Sequence, residues 1–207
     1  MDDDDGGILV DPEPPEDPTP RIKYYVDGVE VTVLREQVQY FDKDGKPITE
    51  SLKDYTRKAV RSNFASLREF LHRWTSADRK EVLLAELSEQ GIFLDALEAE
   101  VGRNYDPFDL VCHVAFDQPP LTRKERAEQV RKRNYFGKYG EQARRVLNAL
   151  LDKYADEGIV PVEDMEVLKV QPLNELGTPV EIIEIFGGRA GYLRAVAELE
   201  AELYRAA

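Results

Sequence analysis

Basic side chains are concentrated in one stretch of this chain, where their number and spacing would let them neutralise a row of phosphates. Residues 121–145 include nine Lys/Arg and three Glu, a local charge of +6. The whole chain carries −13, which leaves −19 for the remainder. A cationic segment on an acidic body indicates a specific anionic partner rather than general adhesion. The candidate contact residues are Arg123, Lys124, Arg126, Arg131, Lys132, Arg133, Tyr135 and Lys138.

The sequence leaves two partners open for these cations. Phosphate contacts would give an affinity that falls with salt. Tyr135, Phe136 and Tyr139 lie among the charges, as in surfaces that also stack bases. Alternatively, the cations pair with the acidic surplus of the same fold or of a protein partner, since a run of charge is often only a solvated face.

Nucleophile and metal-ligand chemistry has little support. The chain has two histidines, His72 and His113, and the single cysteine Cys112, which is too few for a zinc site. Cys112 lies within the apolar run LVCHV, so we predict a small buried core residue. The Gly-Lys pair at residues 45–46 lacks the earlier glycine of a phosphate-binding loop.

Carboxylates are plentiful, so a small metal-dependent nuclease is a third hypothesis. It would use Asp106, Asp109 or Glu166, with Lys169 close to Glu166 in sequence. Such spacings are not diagnostic, and we expect these residues to lie on solvated helix faces, as acidic residues mostly do. We therefore predict no catalytic, cofactor-binding or metal-binding residue, and no enzymatic activity of this chain alone.

Residues 1–20 differ from the rest in composition. They contain eight Asp/Glu, no Lys/Arg and five of the twelve prolines. Such a segment cannot bury enough apolar surface to offset the entropy of ordering it, so we predict a disordered leader or interdomain linker. Pro-rich linkers join domains, which indicates that the chain is a detached piece of a longer polypeptide.

Residues 21–49 are predicted to form a small antiparallel β-ribbon. A DG hairpin dipeptide at residues 27–28 precedes valines at every second position of residues 29–33. A second turn is predicted at residues 42–45. A ribbon of this size is marginal alone, so we expect it to lie against a helix or a neighbouring domain.

Residues 50–207 are predicted to form an irregular helical bundle, which makes the fold class mainly α. Thr75 and Ser76 are predicted to cap one helix. Thr122 and Glu125 form the capping-box pattern of a basic helix spanning 122–145. The glycines at 187–188 are predicted to end one helix before the next. The last helix is predicted to carry Tyr192, Leu193, Val196, Leu199 and Leu203.

Three features of the sequence bear on the cellular location of the protein. No run of 18 apolar residues occurs, so we predict no transmembrane helix. Met1 is followed by four aspartates, unlike a signal peptide. A single cysteine fits a reducing compartment. The prediction is a cytoplasmic protein without membrane contact.

Several segments resemble, in order from about residue 23 to the C-terminus, the C-terminal domain of the restriction (R) subunit of type I restriction–modification enzymes. They are residues 24–31 (YYVDGVEV), 106–110 (DPFDL), 113–123 (HVAFDQPPLTR), 135–140 (YFGKYG) and 177–183 (GTPVEII).

The resemblance implies a non-catalytic assembly domain acting in restriction of foreign DNA. In that family the full subunit has nuclease and motor domains, and ATP and Mg²⁺ would be expected only there, with no cofactor in this chain. The domain would dock the motor and nuclease onto a methyltransferase (M) and specificity subunit core, with double-stranded DNA nearby. The alternative is a DNA-backbone contact through the basic helix 122–145.

Overall fold

The computed structural model describes residues 21–26, 28–34, 36–102 and 104–205. The predicted acidic leader, residues 1–20, lies outside the described residues, as does Asp27 of the first predicted turn. The described chain begins with a four-stranded antiparallel sheet in the order β1-β2-β3-β4. Its strands are β1 (Arg21–Val26), β2 (Val29–Leu34), β3 (Gln37–Phe41) and β4 (Pro47–Ser51).

The sheet uses one face to join the helical part. Val31, Val33 and Val38 are at most 3% exposed and share a core cluster with Leu97 and other helical residues. Because side chains alternate across a strand, Val31 and Val33 both reach this face, whereas Val29 at the start of β2 is 39% exposed. The prediction that the ribbon lies against a helix is confirmed.

The fold class is confirmed as mainly α, because helices make up most of the remaining described chain. Short 3₁₀ turns cover Tyr135–Lys138, Met165–Lys169 and Leu173–Glu175. The ten α-helices of the described residues are α1 (Leu52–Asn63), α2 (Leu67–Ser76), α3 (Lys80–Glu89), α4 (Leu94–Val101), α5 (Pro107–Phe116), α6 (Arg123–Lys132), α7 (Glu141–Glu157), α8 (Val160–Glu163), α9 (Pro179–Ile185) and α10 (Arg189–Leu203).

Most predicted helix signals operate as expected. The Thr122 side chain accepts a hydrogen bond from the Glu125 N–H, and the Glu125 carboxylate accepts one from the Thr122 N–H. Gly158 ends α7 with φ +90°, a conformation that disfavours other residues.

The predicted helix cap at Thr75 and Ser76 is wrong. Thr75 and Ser76 lie in the last turn of α2 and bond back to its carbonyls, so they cap no new helix. Helix α3 follows Arg79 without a side-chain cap. Leu193 is 43% exposed, because it lies off the buried face of α10.

The predicted basic helix 122–145 is also wrong as a single element. Asn134 adopts a left-handed conformation with φ +51°, which stops α6. A 3₁₀ turn and Gly140 then separate it from α7. The basic residues are therefore presented by three elements.

The main core surrounds α7. Trp74, Leu150, Tyr154 and Leu199 are each 0% exposed and belong to one cluster, so α2, α7 and α10 all contribute to this core. No helix within the described residues is both long and apolar enough to span a bilayer.

Candidate interaction surface

The cations of residues 121–145 divide into two groups. Arg123, Arg126, Arg131, Arg133 and Lys138 contact carboxylates of the same chain. Lys124, Lys132, Arg144 and Arg145 are exposed and form no ion pair with any described residue. Much of the local charge of +6 is therefore matched within the fold.

Arg126 lies in the interior rather than on the surface. Its residue is 5% exposed, and its Nε and Nη2 donate to both oxygens of Asp109 at 2.9 and 2.7 Å. Its Nη1 donates to the carbonyl of Leu203 at 2.5 Å. This corrects the expectation that Arg126 projects to solvent with its neighbours. Its guanidinium also lies over the rings of Phe108 and Tyr204, 5.0 and 5.4 Å from their centroids.

The buried arginine has a second acidic neighbour, Asp106. The Asp106 carboxylate is 0% exposed and accepts hydrogen bonds from the hydroxyls of Tyr154 at 2.7 Å and Tyr204 at 3.1 Å. Burial raises the pKa of Asp106, an effect that the charge of Arg126 opposes. The prediction that Asp106 and Asp109 lie on solvated helix faces is wrong, because α5 is buried on both sides by other elements.

The exposed carboxylate of Glu198 on α10 collects three donors from the 3₁₀ turn and the residue after it. Lys138 Nζ donates at 2.6 Å, and the hydroxyls of Tyr135 and Tyr139 donate at 2.5 and 2.7 Å. The hydrogen bond from Lys138, followed by those from the tyrosines, lowers the pKa of Glu198 to about 2. Tyr135 and Lys138, proposed as partner contacts, therefore hold α10.

Of the other arginines in and directly after α6, Arg123 and Arg131 are half-buried and Arg133 is exposed. Arg131 donates to Asp152 at 2.6 Å and to Glu128 at 2.5 Å. Arg133 donates to the Glu202 carbonyl at 2.9 Å and to its carboxylate at 3.2 Å. Arg123 lies 3.6 Å from Glu98. One end of α10 is thus bound by Arg126, Arg133 and the Glu198 donors together.

A buried ion cluster was missed from the sequence. Lys80 is 2% exposed, and its Nζ lies 3.1 Å from Glu200 and 3.7 Å from Glu163. Burial raises the pKa of Glu200 to about 7, although the charge of Lys80 opposes it. The signal was the spacing of Lys80 to Leu83 and Leu87, which puts the lysine on the buried stripe of α3.

Other predicted site residues occupy ordinary positions. Cys112 is buried as predicted, and burial raises its pKa to about 12. Glu166 and Lys169 form an exposed ion pair at 2.7 Å, as expected for solvated residues. The amide of Gly188 donates to the Ile183 carbonyl, so the glycines connect α9 to α10 as predicted. Within the described ranges, no group of three or more His, Cys, Asp or Glu is placed to hold a metal.

Comparison with known proteins gives one family. Residues 50–204 match the family model described as EcoEI R protein C-terminal. The chain is 54% identical over 197 residues to an Escherichia coli protein named type I restriction enzyme EcoAI endonuclease subunit. The match covers 95% of this chain and 24% of that relative, so the chain spans about a quarter of its length. No solved structure matches.

Proposed function

Since the chain belongs to the EcoEI R protein C-terminal family, we propose that it is the assembly domain of a type I restriction endonuclease R subunit. In this proposal it docks the motor and nuclease part of the subunit onto a methyltransferase–specificity core. The observation that carries the proposal is the 54% identity to an endonuclease subunit over nearly the whole chain.

The internal pairing of the basic stretch supports protein docking over DNA contact. Five of the nine cations are already engaged by carboxylates of the chain. Each engaged cation offers less to a phosphate, because binding DNA would first break or share an existing pair. A helical bundle held in one arrangement by such contacts is suited to presenting a fixed protein-binding surface.

The proposal also sets what the chain does not do. Catalysis, ATP and Mg²⁺ belong to motor and nuclease domains of a complete subunit, and this chain alone has no enzymatic activity. Its partners are the methyltransferase and specificity subunits, with double-stranded DNA near the complex. The location is the bacterial cytoplasm, where the DNA to be restricted is found.

Retention of purified partners tests the proposal. The 207-residue chain is immobilised, and methyltransferase–specificity core is passed over it at about 1 µM, a concentration suited to interfaces of moderate affinity. We expect the core to be retained by the chain and not by an unrelated acidic protein of similar charge. Failure to retain the core at that concentration contradicts the docking role.

A second candidate function is DNA-backbone contact through the unpaired cations of α6. Lys124 and Lys132 are exposed and make no ion pair with described residues. If both contact phosphate, replacing them with alanine lowers the slope of log affinity against log salt by roughly 2, because each phosphate contact contributes about 0.9. Lys43→Ala/Lys46→Ala, at the exposed turn between β3 and β4, is the matched control. An unchanged slope in the Lys124/Lys132 variant rejects this function.

A further inference from the structure

A groove of about 430 Å³ lies between α2 and the last turns of α10. Its walls are the sides of two helices. Arg68, Leu71 and His72 belong to α2, whereas Ala197, Ala201 and Arg205 belong to or directly follow α10. Residues spaced by three and four positions share one side of a helix, so each wall is a continuous stripe.

The middle of the groove is lined by apolar side chains, two of which are small. Ala197 and Ala201 are exposed, and their small side chains leave room beside Leu71, which is half-buried. The floor of the groove is formed where Trp74 of α2 packs edge-on against Tyr204, the residue after α10, with ring centroids 5.3 Å apart. The groove therefore has a fixed floor and an opening wide enough for an apolar side chain.

The charge of the groove is opposite to that of the chain. Arg68 is exposed and forms no ion pair with any described residue. Arg205 has only an exposed pair with Glu202 at 3.4 Å, which holds it weakly. Among the described residues lining the groove, Glu200 is the one acid, and its carboxylate is held 3.1 Å from the Lys80 ammonium. On a protein of net charge −13, this leaves a cationic rim around an apolar middle.

We propose that this groove binds an acidic amphipathic segment of a partner protein. An apolar side chain of the segment enters between Leu71 and Ala201, and its carboxylates reach Arg68 and Arg205. Charge complementarity selects this occupant, because opposite charges at a rim guide docking while an apolar centre supplies affinity. A DNA duplex fits less well, since its phosphate backbone offers no apolar group to the middle of the groove.

The inference rests on the proposed function in taking the partner to be the methyltransferase–specificity core. The experiment compares the wild-type chain, Arg68→Glu/Arg205→Glu, and the matched control Lys43→Glu/Lys46→Glu on the turn between β3 and β4. All four positions are exposed, so the variants keep the wild-type circular dichroism spectrum and melting temperature. Three probes are used: the purified core, a fluorescein-labelled amphipathic peptide of Glu and Leu, and duplex DNA.

We expect the groove variant to bind the core and the peptide at least about tenfold more weakly, equivalent to 1.4 kcal/mol. The control variant and wild type bind both alike. A peptide with Gln in place of Glu should bind wild type more weakly than the Glu peptide does. It should bind wild type and the groove variant with the same affinity.

The outcomes separate the groove from the docking role. Equal core retention by the groove and control variants overturns the groove and leaves docking intact. Peptide binding that depends on Arg68 and Arg205, without core retention by wild type, overturns docking and supports the groove. If the wild-type chain binds neither the core nor the peptide, both the docking role and the groove are overturned. A loss of affinity for duplex DNA alone in the groove variant makes the groove a DNA contact and overturns the proposal.

Discussion

Replacing Arg126 with methionine tests how strongly the fold depends on the buried ion pair. Methionine keeps an unbranched apolar stem beside the rings of Phe108 and Tyr204 and removes the guanidinium. Two acceptors then lose the donors that Arg126 supplied: the carboxylate of Asp109, a residue that is 4% exposed, and the Leu203 carbonyl at the end of α10. Neither can turn to water without disturbing the core.

The expected cost is large for one residue. Removing one partner of a buried pair leaves an uncompensated charge and costs about 3–5 kcal/mol. The total stability of a domain is roughly 5–15 kcal/mol, so Arg126→Met would remove a substantial part of it. Arg131→Met is the matched control. It removes a half-exposed pair with Asp152 and should cost under about 1 kcal/mol.

A double-mutant cycle attributes the loss to the pair. Asp109→Asn removes the charge but keeps an acceptor for the Leu121 N–H, which donates at 3.1 Å. Combined with Arg126→Met, it should cost less than the sum of the single changes, with a coupling energy of about 1–3 kcal/mol. Because both residues contact each other directly, the coupling reports their interaction rather than a distant rearrangement.

Urea unfolding measures these energies with a local and a global probe. Trp74 is the one tryptophan of the chain, and its ring centroid lies 5.4 Å from that of Phe108 under the arginine. Its fluorescence should change in the same transition as the far-ultraviolet circular dichroism. A cost for Arg126→Met no larger than that for Arg131→Met, or strictly additive changes, would refute the assignment of a stabilising buried pair.

Three further results are expected. Glu198→Gln should flatten the acid side of the curve of unfolding free energy against pH. The folded pKa of Glu198 is lowered to about 2, so its contribution to stability is present above about pH 4.5 and is lost as the pH falls toward 2. Urea midpoints across that range measure the change. Glu200→Gln should flatten the neutral side of the same stability curve. The folded pKa of Glu200 is raised to about 7, so its contribution to stability is present below about pH 4.5 and is lost as the pH rises through 7. A wild-type profile in which stability does not fall over that range contradicts the assignment. Gly191→Ala should lower the melting temperature by an amount equivalent to about 1–3 kcal/mol, because its Cβ would lie 1.9 Å from the Phe186 carbonyl oxygen; an unchanged melting temperature would show that the turn relaxes freely.

Local signals predicted much of the fold. The capping box at Thr122, proline at the start of α5 and Gly158 after α7 act through atoms a few residues apart, so the sequence displays them directly. The helix cap predicted at Thr75 was wrong because a threonine hydroxyl can also donate to a carbonyl within the last turn of a helix. Residue type alone does not separate these two uses.

The roles of the basic residues could not be predicted in the same way. The partner of Arg126 is 17 residues away, and its carbonyl contact is 77 residues away. Val130 lies one turn further along the same buried face, a spacing that favours burial of Arg126 but names no acid for it, and the prediction of a partner contact at Arg126 overlooked it. Which cations remain exposed depends on how α10 crosses α6, a tertiary feature that no local pattern encodes.

The binding of α10 by residues far upstream has a consequence for synthesis. This helix is the last one described, so its carboxylates and carbonyls leave the ribosome after the cations that they contact. A chain interrupted before Arg189 would present Arg133 and Lys138 without Glu202 and Glu198, and would leave Trp74 without Tyr204. Truncated products from nonsense codons or stalled ribosomes should therefore expose cationic and aromatic surface that chaperones and proteases recognise. A chain that includes α10 closes that surface.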